Sequence, residues 1–390
     1  MTHTAVSTPP TPVRPTGGTA DWLPSVAAAS VSAGAIALGL GAWRDPATSA
    51  LTRSDGPIAA SLLAPEALAA TVTVTGLVGL VGVLLGALVG VARPGRRPRG
   101  ALVALFAVEV AVLGFGLAGV TSIALAGYLV AMALPVLLLV LLVQAVRRYR
   151  RARWAALAAA AAFVTWGLLS AALRPDSLAR LGSGLVTGFE TAAPRLLVAV
   201  LSTAATASFG LLLLAEVRDT DSWRRVGATV VRHRTAWTVV AACCALPYGL
   251  VRMTWLTPWP VLGQGEELSA EIRLWGLLLG GGAMLGFVLT LGLVRPWGER
   301  FPRWMPGVAG RPVPVAAATV PGGIVAAVLC TSAVPMLHDL TLTGAGSGLG
   351  VDSVVDRVAM AVVFPFWLWG PMLALAVWGY ATRIPTTARS

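Results

Sequence analysis

Two side chains stand where charge is costly. Glu109 is the single charged residue among the 47 from Gly100 to Val146, and Arg252 lies near the end of another apolar run. A carboxyl group in such surroundings points first to a proton or cation site, because an acid inside hydrocarbon must find polar company or do work. The plainer reading is a neutral carboxyl hydrogen-bonded within a helix bundle. Arg252 reads either as a substrate or ion contact, or as a long side chain reaching the headgroup layer. On ideal helical rise the two differ in depth by about 12 Å, too far for a direct pair in straight helices.

A third group of candidates is the segment Arg295–Pro314, which interleaves Trp297, Phe301 and Trp304 with Arg295, Arg300, Arg303 and Arg311. Rings that insert and guanidinium groups that meet phosphate suit the lipid-headgroup layer, so this loop is expected to contact anionic lipid. Its five prolines exclude a long helix. The alternative is a loop that is simply well anchored.

The remaining chemistry-bearing residues are scattered. Cys243, Cys244 and Cys330 fall in apolar runs without CxxC spacing and read as small apolar filler. His338 and Asp339 are two residues, not a site, and His233 sits between Arg232 and Arg234 in a basic loop. Asp45 and Asp55 lie in the first connection, where lipid-linked glycosyltransferases place an acid, but the large outer domains of such enzymes have no counterpart here. There is no Walker loop, HExxH or EF-hand pattern. No catalytic residue, metal site or cofactor is expected.

What must position these groups is a set of apolar stretches. Leu23–Trp43 shows the type: 21 uncharged residues, enough to cross a hydrocarbon core of about 30 Å. Nine more follow, at about 67–92, 100–119, 122–146, 154–173, 196–215, 235–255, 274–294, 315–337 and 358–382. The expected fold is all-α, a polytopic transmembrane helix bundle of about ten spans over 23–382, with tails at 1–22 and 383–390. Composition agrees, with 56% apolar and 12% charged residues against roughly 25% charged in soluble domains. Connections of about 20 residues at most leave no room for a soluble catalytic domain.

The net charge of +12 is carried by 29 arginines and no lysine, which suits a GC-rich bacterial genome. The arginines flank the spans, so the bilayer, not nucleic acid, is the expected partner. With the N-terminus inside, 21 of the 29 fall on cytoplasmic segments, and both termini are cytoplasmic. Trp22, Trp43, Trp154, Trp237, Trp255, Trp275 and Trp297 mark span ends, as interfacial indoles do.

Glycines stud the second span (Gly76, Gly79, Gly82, Gly86) and the eighth (Gly276, Gly280, Gly281, Gly282, Gly286). These spans close on Gly90-Val-Ala-Arg-Pro94 and Gly292-Leu-Val-Arg-Pro296. Prolines mark the fourth span (Pro135) and the tenth (Pro365, Pro371). This predicts a parallel four-two-four pseudo-repeat, as in several transporter folds, against the chance recurrence of abundant residues.

The run Trp297-Gly-Glu-Arg-Phe-Pro-Arg-Trp-Met-Pro306, with Gly310-Arg-Pro-Val-Pro314 after it, resembles a segment of an actinobacterial family of multi-pass integral membrane proteins of unknown function. Pro247-Tyr-Gly-Leu-Val-Arg252, followed by Trp255, is similar to the same group. The resemblance covers mainly the last four spans and implies a phylum without an activity. Three functional classes follow from the sequence as a whole. These are a permease for a small solute or lipid, a non-catalytic scaffold, sensor or regulatory subunit, and, least favoured, a lipid-modifying enzyme.

Overall fold

The computed structural model describes residues 22–52, 56–92, 99–119, 121–148, 152–169, 174–257, 259–262, 268–303, 305, 309–338, 340 and 353–383. The N-terminal tail, most of the C-terminal tail, Asp55, Asp339 and Trp304 lie outside the described residues.

The helices, in chain order, are α1 (Leu23–Arg44), α2 (Ala59–Leu62), α3 (Pro65–Ala92), α4 (Arg99–Glu109), which continues as a π-helix over Val110–Gly116, α5 (Thr121–Arg148) and α6 (Ala152–Leu169). The second half has α7 (Pro175–Val217), α8 (Asp221–Arg232), α9 (Arg234–Cys243), α10 (Ala245–Thr254), α11 (Ala270–Gly292), α12 (Val315–His338), α13 (Val354–Val363) and α14 (Phe366–Arg383). The described residues hold no strand beyond an isolated antiparallel bridge between Arg300 and Pro312.

Among the described residues eight stretches are long and apolar enough to cross a membrane; five lie within a single helix, and three join α4 to its π-helix, α9 to α10, and α13 to α14. Their surfaces agree. α3 buries Leu68, Ala69, Val72 and Val83, yet Val74, Leu77, Val81, Leu84 and Leu88 on its other side are exposed. A helix apolar on both faces but packed on one needs lipid on the other. The chain is a helical membrane protein.

Two bundles share the work. In the first, α1, α3, α4 with its π-helix, and α7 surround a core that includes Val31, Val72, Phe106, Leu113 and Phe209. In the second, α9 joins α12 and α14 around Ala241, Leu329, Met336, Phe366 and Leu373. α5 lies between the bundles, in contact with α7 on one side and α11 and α12 on the other. α10 and α11 cross closely: Gly249 meets Gly280 and Ala283, and Gly276 meets the Trp255 ring.

Three departures from the sequence expectation have local causes. The stretch 174–195, read as a connection, is the first half of a 43-residue helix. Leu178, Leu181, Leu185 and Phe189 recur at helical spacing, and Pro175 begins the helix where its missing N–H costs nothing. At about 65 Å it is twice the bilayer thickness, with Pro194 inside it.

The seventh span divides into α9 and α10 at Cys244, three residues before Pro247, which cannot donate to the carbonyl of Cys243. The tenth divides into α13 and α14 at Phe364, which takes φ −119° and ψ 68° because the following Pro365 disfavours α geometry.

Candidate functional site

Glu109 is the last α-helical residue before the chain widens into the π-helix Val110–Gly116. Its side chain is fully buried, and neither carboxyl oxygen has a hydrogen-bond partner among the described residues. The opposing surface is Gly79 of α3, where a Cβ would stand 2.8 Å from Cδ and Oε2 of Glu109 and 2.9 Å from Oε1. The glycine therefore makes the room the carboxyl group occupies. Leu102 and Leu105 of α4 meet Gly86 and Gly82 in the same antiparallel seam.

The two directions away from Glu109 differ. Toward the end that carries Arg99, the seam is closed by Leu102, Leu105 and the Phe106–Phe209 ring pair, whose centroids are 6.0 Å apart. Toward the other end come hydroxyl groups. Ser32 of α1 is fully buried with Oγ unpartnered, and its carbonyl faces Gly76, one turn along α3 from Gly79. Thr206 of α7 packs on Gly114 with a buried, unpartnered Oγ1.

Ser202, one turn further along α7, donates to the Gly114 carbonyl at 2.6 Å. Beyond it a small cleft opens, lined by Gly56, Leu117, Gly119, Arg195 and Val198. The helix surfaces beyond Glu109 thus carry buried hydroxyl groups toward one end, none of them bonded to the carboxyl, and apolar side chains toward the other.

Arg252 is placed elsewhere. Its guanidinium lies over the Trp255 ring at 4.0 Å from the centroid and over the Tyr248 ring at 5.2 Å. Tyr248 in turn meets Phe364 at the break between α13 and α14, with centroids 5.1 Å apart. The two aromatic faces hold the cation. The structure does not bring Arg252 to Glu109, so the two are not one site.

The described parts of the segment, 295–303 and 309–314, pair with one another as a short hairpin on the face where α7, α11 and α14 end. Phe301 N donates to Arg311 O at 2.9 Å, Gly310 N to Phe301 O at 2.9 Å, and Val313 N to Glu299 O at 2.9 Å. The Tyr380 hydroxyl of α14 donates to Gly298 O at 2.7 Å. Gly298 itself lies so close to the Gly292 carbonyl that no Cβ would fit. Arg295, Arg300, Arg303 and Arg311 are all exposed, and Trp297 is partly so.

Other sequence candidates are structural where described. Asp45 accepts from Thr48 Oγ1 at 2.7 Å and from Thr48 N at 3.3 Å. The Thr48 hydroxyl holds that carboxyl below its ordinary range. His233 Nδ1 lies 3.1 Å from Thr229 O, and its ring meets Trp237 edge-on. Among the described residues no three His, Cys, Asp or Glu side chains gather as a metal site.

Sequence reasoning had no handle on Ser32 and Thr206, because single hydroxyls are common in apolar helices. It also had none on the Tyr380 contact, which joins residues 82 apart.

Comparison with family models, with curated proteins and with solved structures finds no match to this chain.

Proposed function

We propose that this protein is a permease-like transporter of a small solute, with Glu109 as the group that takes up and releases a coupling proton. The observation that carries the reading is a fully buried carboxyl with both oxygens unpartnered, placed where an α-helix becomes a π-helix. Structural acids inside a bilayer are normally paired, and π-segments recur at functional positions. Ser32 and Thr206 supply hydroxyl groups on one side for proton exchange, and Phe106 and Phe209 close the other. A gate that opens on one side at a time needs such a contrast. Helices interrupted at Cys244 and Phe364 suit a transporter, since interrupted spans are where substrates and ions are handled.

In this reading ten spans cross a bacterial cytoplasmic membrane with both termini cytoplasmic. Spans one to four and seven to ten are the two halves of a parallel repeat. Arginine placement supports the orientation, because the face shared by Arg99, Arg224, Arg300 and Arg383 is the basic one. The family resemblance of the 297–314 segment supports the actinobacterial source.

Proteoliposomes holding a trapped pH dye, screened with a panel of small solutes, test the proposal. Solute-driven proton entry is expected for the wild type and not for Glu109→Gln. Solute flux that persists with unchanged pH dependence in Glu109→Gln overturns it.

A further inference from the structure

On the face where α7, α11 and α14 end, two basic elements are fastened to the same turn of α14. The first is α8. Thr220 caps it by accepting from Trp223 N at 3.2 Å, and Trp223 stacks on Trp378 with centroids 4.6 Å apart and planes 13° apart. Gly227 lies against the same Trp378 ring, and Val230 is buried beside Gly379. Residues 223, 227 and 230 make one helical seam, which leaves Arg224, Arg225 and Arg232 exposed on the rest of the helix.

The second element is the 295–314 hairpin, held through Tyr380, two residues beyond Trp378. Its exposed arginines are Arg295, Arg300, Arg303 and Arg311.

Together α8 and the hairpin carry seven arginines against two carboxylates, Asp221 and Glu299. Asp219, at the start of the α7–α8 turn, is engaged by Arg99 at 3.5 Å and by Arg218 at 3.9 Å, and so does not neutralise this surface. The same contact shows that the N-terminus of α4 lies on this face. Both elements connect directly to membrane-crossing helices, so they sit at headgroup level. Trp223, Trp297 and Phe301 stand at that level too, as interfacial aromatics do.

We propose that α8 and the hairpin form one docking surface for the phosphodiester headgroups of anionic phospholipids in the adjoining leaflet. Planar guanidinium groups bind phosphate oxygens in pairs, and arginines spread over two elements can engage several headgroups at once. The surface is fixed to α14 by aromatic stacking and a hydrogen bond, so its charges are held in place before lipid arrives. It stands whether or not Glu109 carries a proton.

The test uses the full chain, purified in a zwitterionic detergent and followed by native mass spectrometry during titration with phosphatidylglycerol or phosphatidylcholine. The wild type should retain phosphatidylglycerol preferentially. The quadruple variant Arg224→Gln, Arg225→Gln, Arg300→Gln, Arg303→Gln should lose that preference, with affinity falling about tenfold or more. Raising salt from about 0.1 to 1 M, which shortens screening from about 10 Å to 3 Å, should weaken the wild type in the same direction.

Should the quadruple variant not fold, the hairpin pair Arg300→Gln, Arg303→Gln gives the same comparison at smaller amplitude. Unchanged lipid preference in a folded variant overturns the proposal. So does a preference abolished by inorganic phosphate at equal concentration, which would make this a site for a soluble anion, or one abolished by an acidic peptide, which would make it a protein interface.

Discussion

Replacing Glu109 by methionine should make the protein more stable, an unusual expectation for a fully buried residue. Methionine has a similar length and flexibility and fills irregular gaps, so the cavity beside Gly79 stays occupied. What disappears is a carboxyl group whose two oxygens lack partners. Burying a polar group without a hydrogen bond costs about 1–3 kcal/mol on the scale of protein substitutions. Glu109→Met should therefore recover about that much, whereas Glu109→Gln keeps two unpartnered polar atoms and should be nearly neutral.

The neighbour supplies an internal check. A Cβ at Gly79 would stand 2.8 Å from Cδ of Glu109, so Gly79→Ala should cost about 1–3 kcal/mol by overpacking. The gain in helix propensity, at most about 1 kcal/mol, does not cover it. In a Glu109→Ala background the obstruction is gone and Gly79→Ala should become neutral or favourable. That is a coupling of about 1–3 kcal/mol in a double-mutant cycle.

Thermal unfolding of the detergent-purified protein, followed by the fluorescence of its 14 tryptophans, is a suitable assay. A shift of about 2–4 °C per kcal/mol sets the resolution needed. If Glu109→Met lowers the midpoint by several degrees, the carboxyl group has a partner that stabilises it, and the argument for a poised, functional acid fails.

Two glycines separate packing from composition. Gly249→Leu should destabilise, by about 1–3 kcal/mol, because the Ala283 Cβ and the Gly280 carbonyl already lie 3.5 Å from its Cβ position and leave a leucine no room even after the Met284 methyl swings aside. Gly286→Leu should be silent in the same melting assay, since nothing lies within 4 Å of its Cβ position. Tyr380→Phe should remove about 0.5–1.5 kcal/mol and speed hydrogen exchange over residues 298–313, with exchange elsewhere unchanged.

At Asp45 the carboxyl is held below its ordinary range by Thr48. The turn's contribution is thus complete above the unfolded-state value and fades as pH falls through the lower folded-state value. Thr48→Val should move the Asp45 titration upward toward 3.8, as carboxyl NMR shifts would report, and leave stability at neutral pH nearly unchanged.

Length and apolarity made most of the helices readable. Leu23–Arg44 and Ala270–Gly292 fall within a few residues of the apolar runs because a spanning helix must be long and uncharged. Glu109 was legible for the converse reason, as the one charge in a long uncharged run. Its lack of partners was not legible, because that depends on which turn of α3 and α7 faces it. The glycine stripe of the second span did map onto close helix contacts. In the eighth span Gly276 and Gly280 are tight while Gly286 is open, since spacing alone does not say which face meets a neighbour.

The helical stretch 175–193 was hidden by its charges, which marked it as a connection although its leucines already kept helical spacing. Arg252 was read against lipid or Glu109, and its actual company, Tyr248 and Trp255, lay within one turn of it in the sequence.

The hydrogen bond from Tyr380 to Gly298 joins a turn made early in synthesis to a helix made late. The ribosome completes the 295–314 segment some 80 residues before it makes the tyrosine that latches it, and Trp378, on which α8 rests, comes equally late. Both basic elements therefore gain their contact with α14 only after that helix has been made. A chain cut short before residue 378 would lack both contacts, leaving α8 without the Trp378 ring and the 295–314 segment with only its own backbone hydrogen bonds and its packing on Gly292. The final helix is therefore the keystone of the basic face as well as a membrane span.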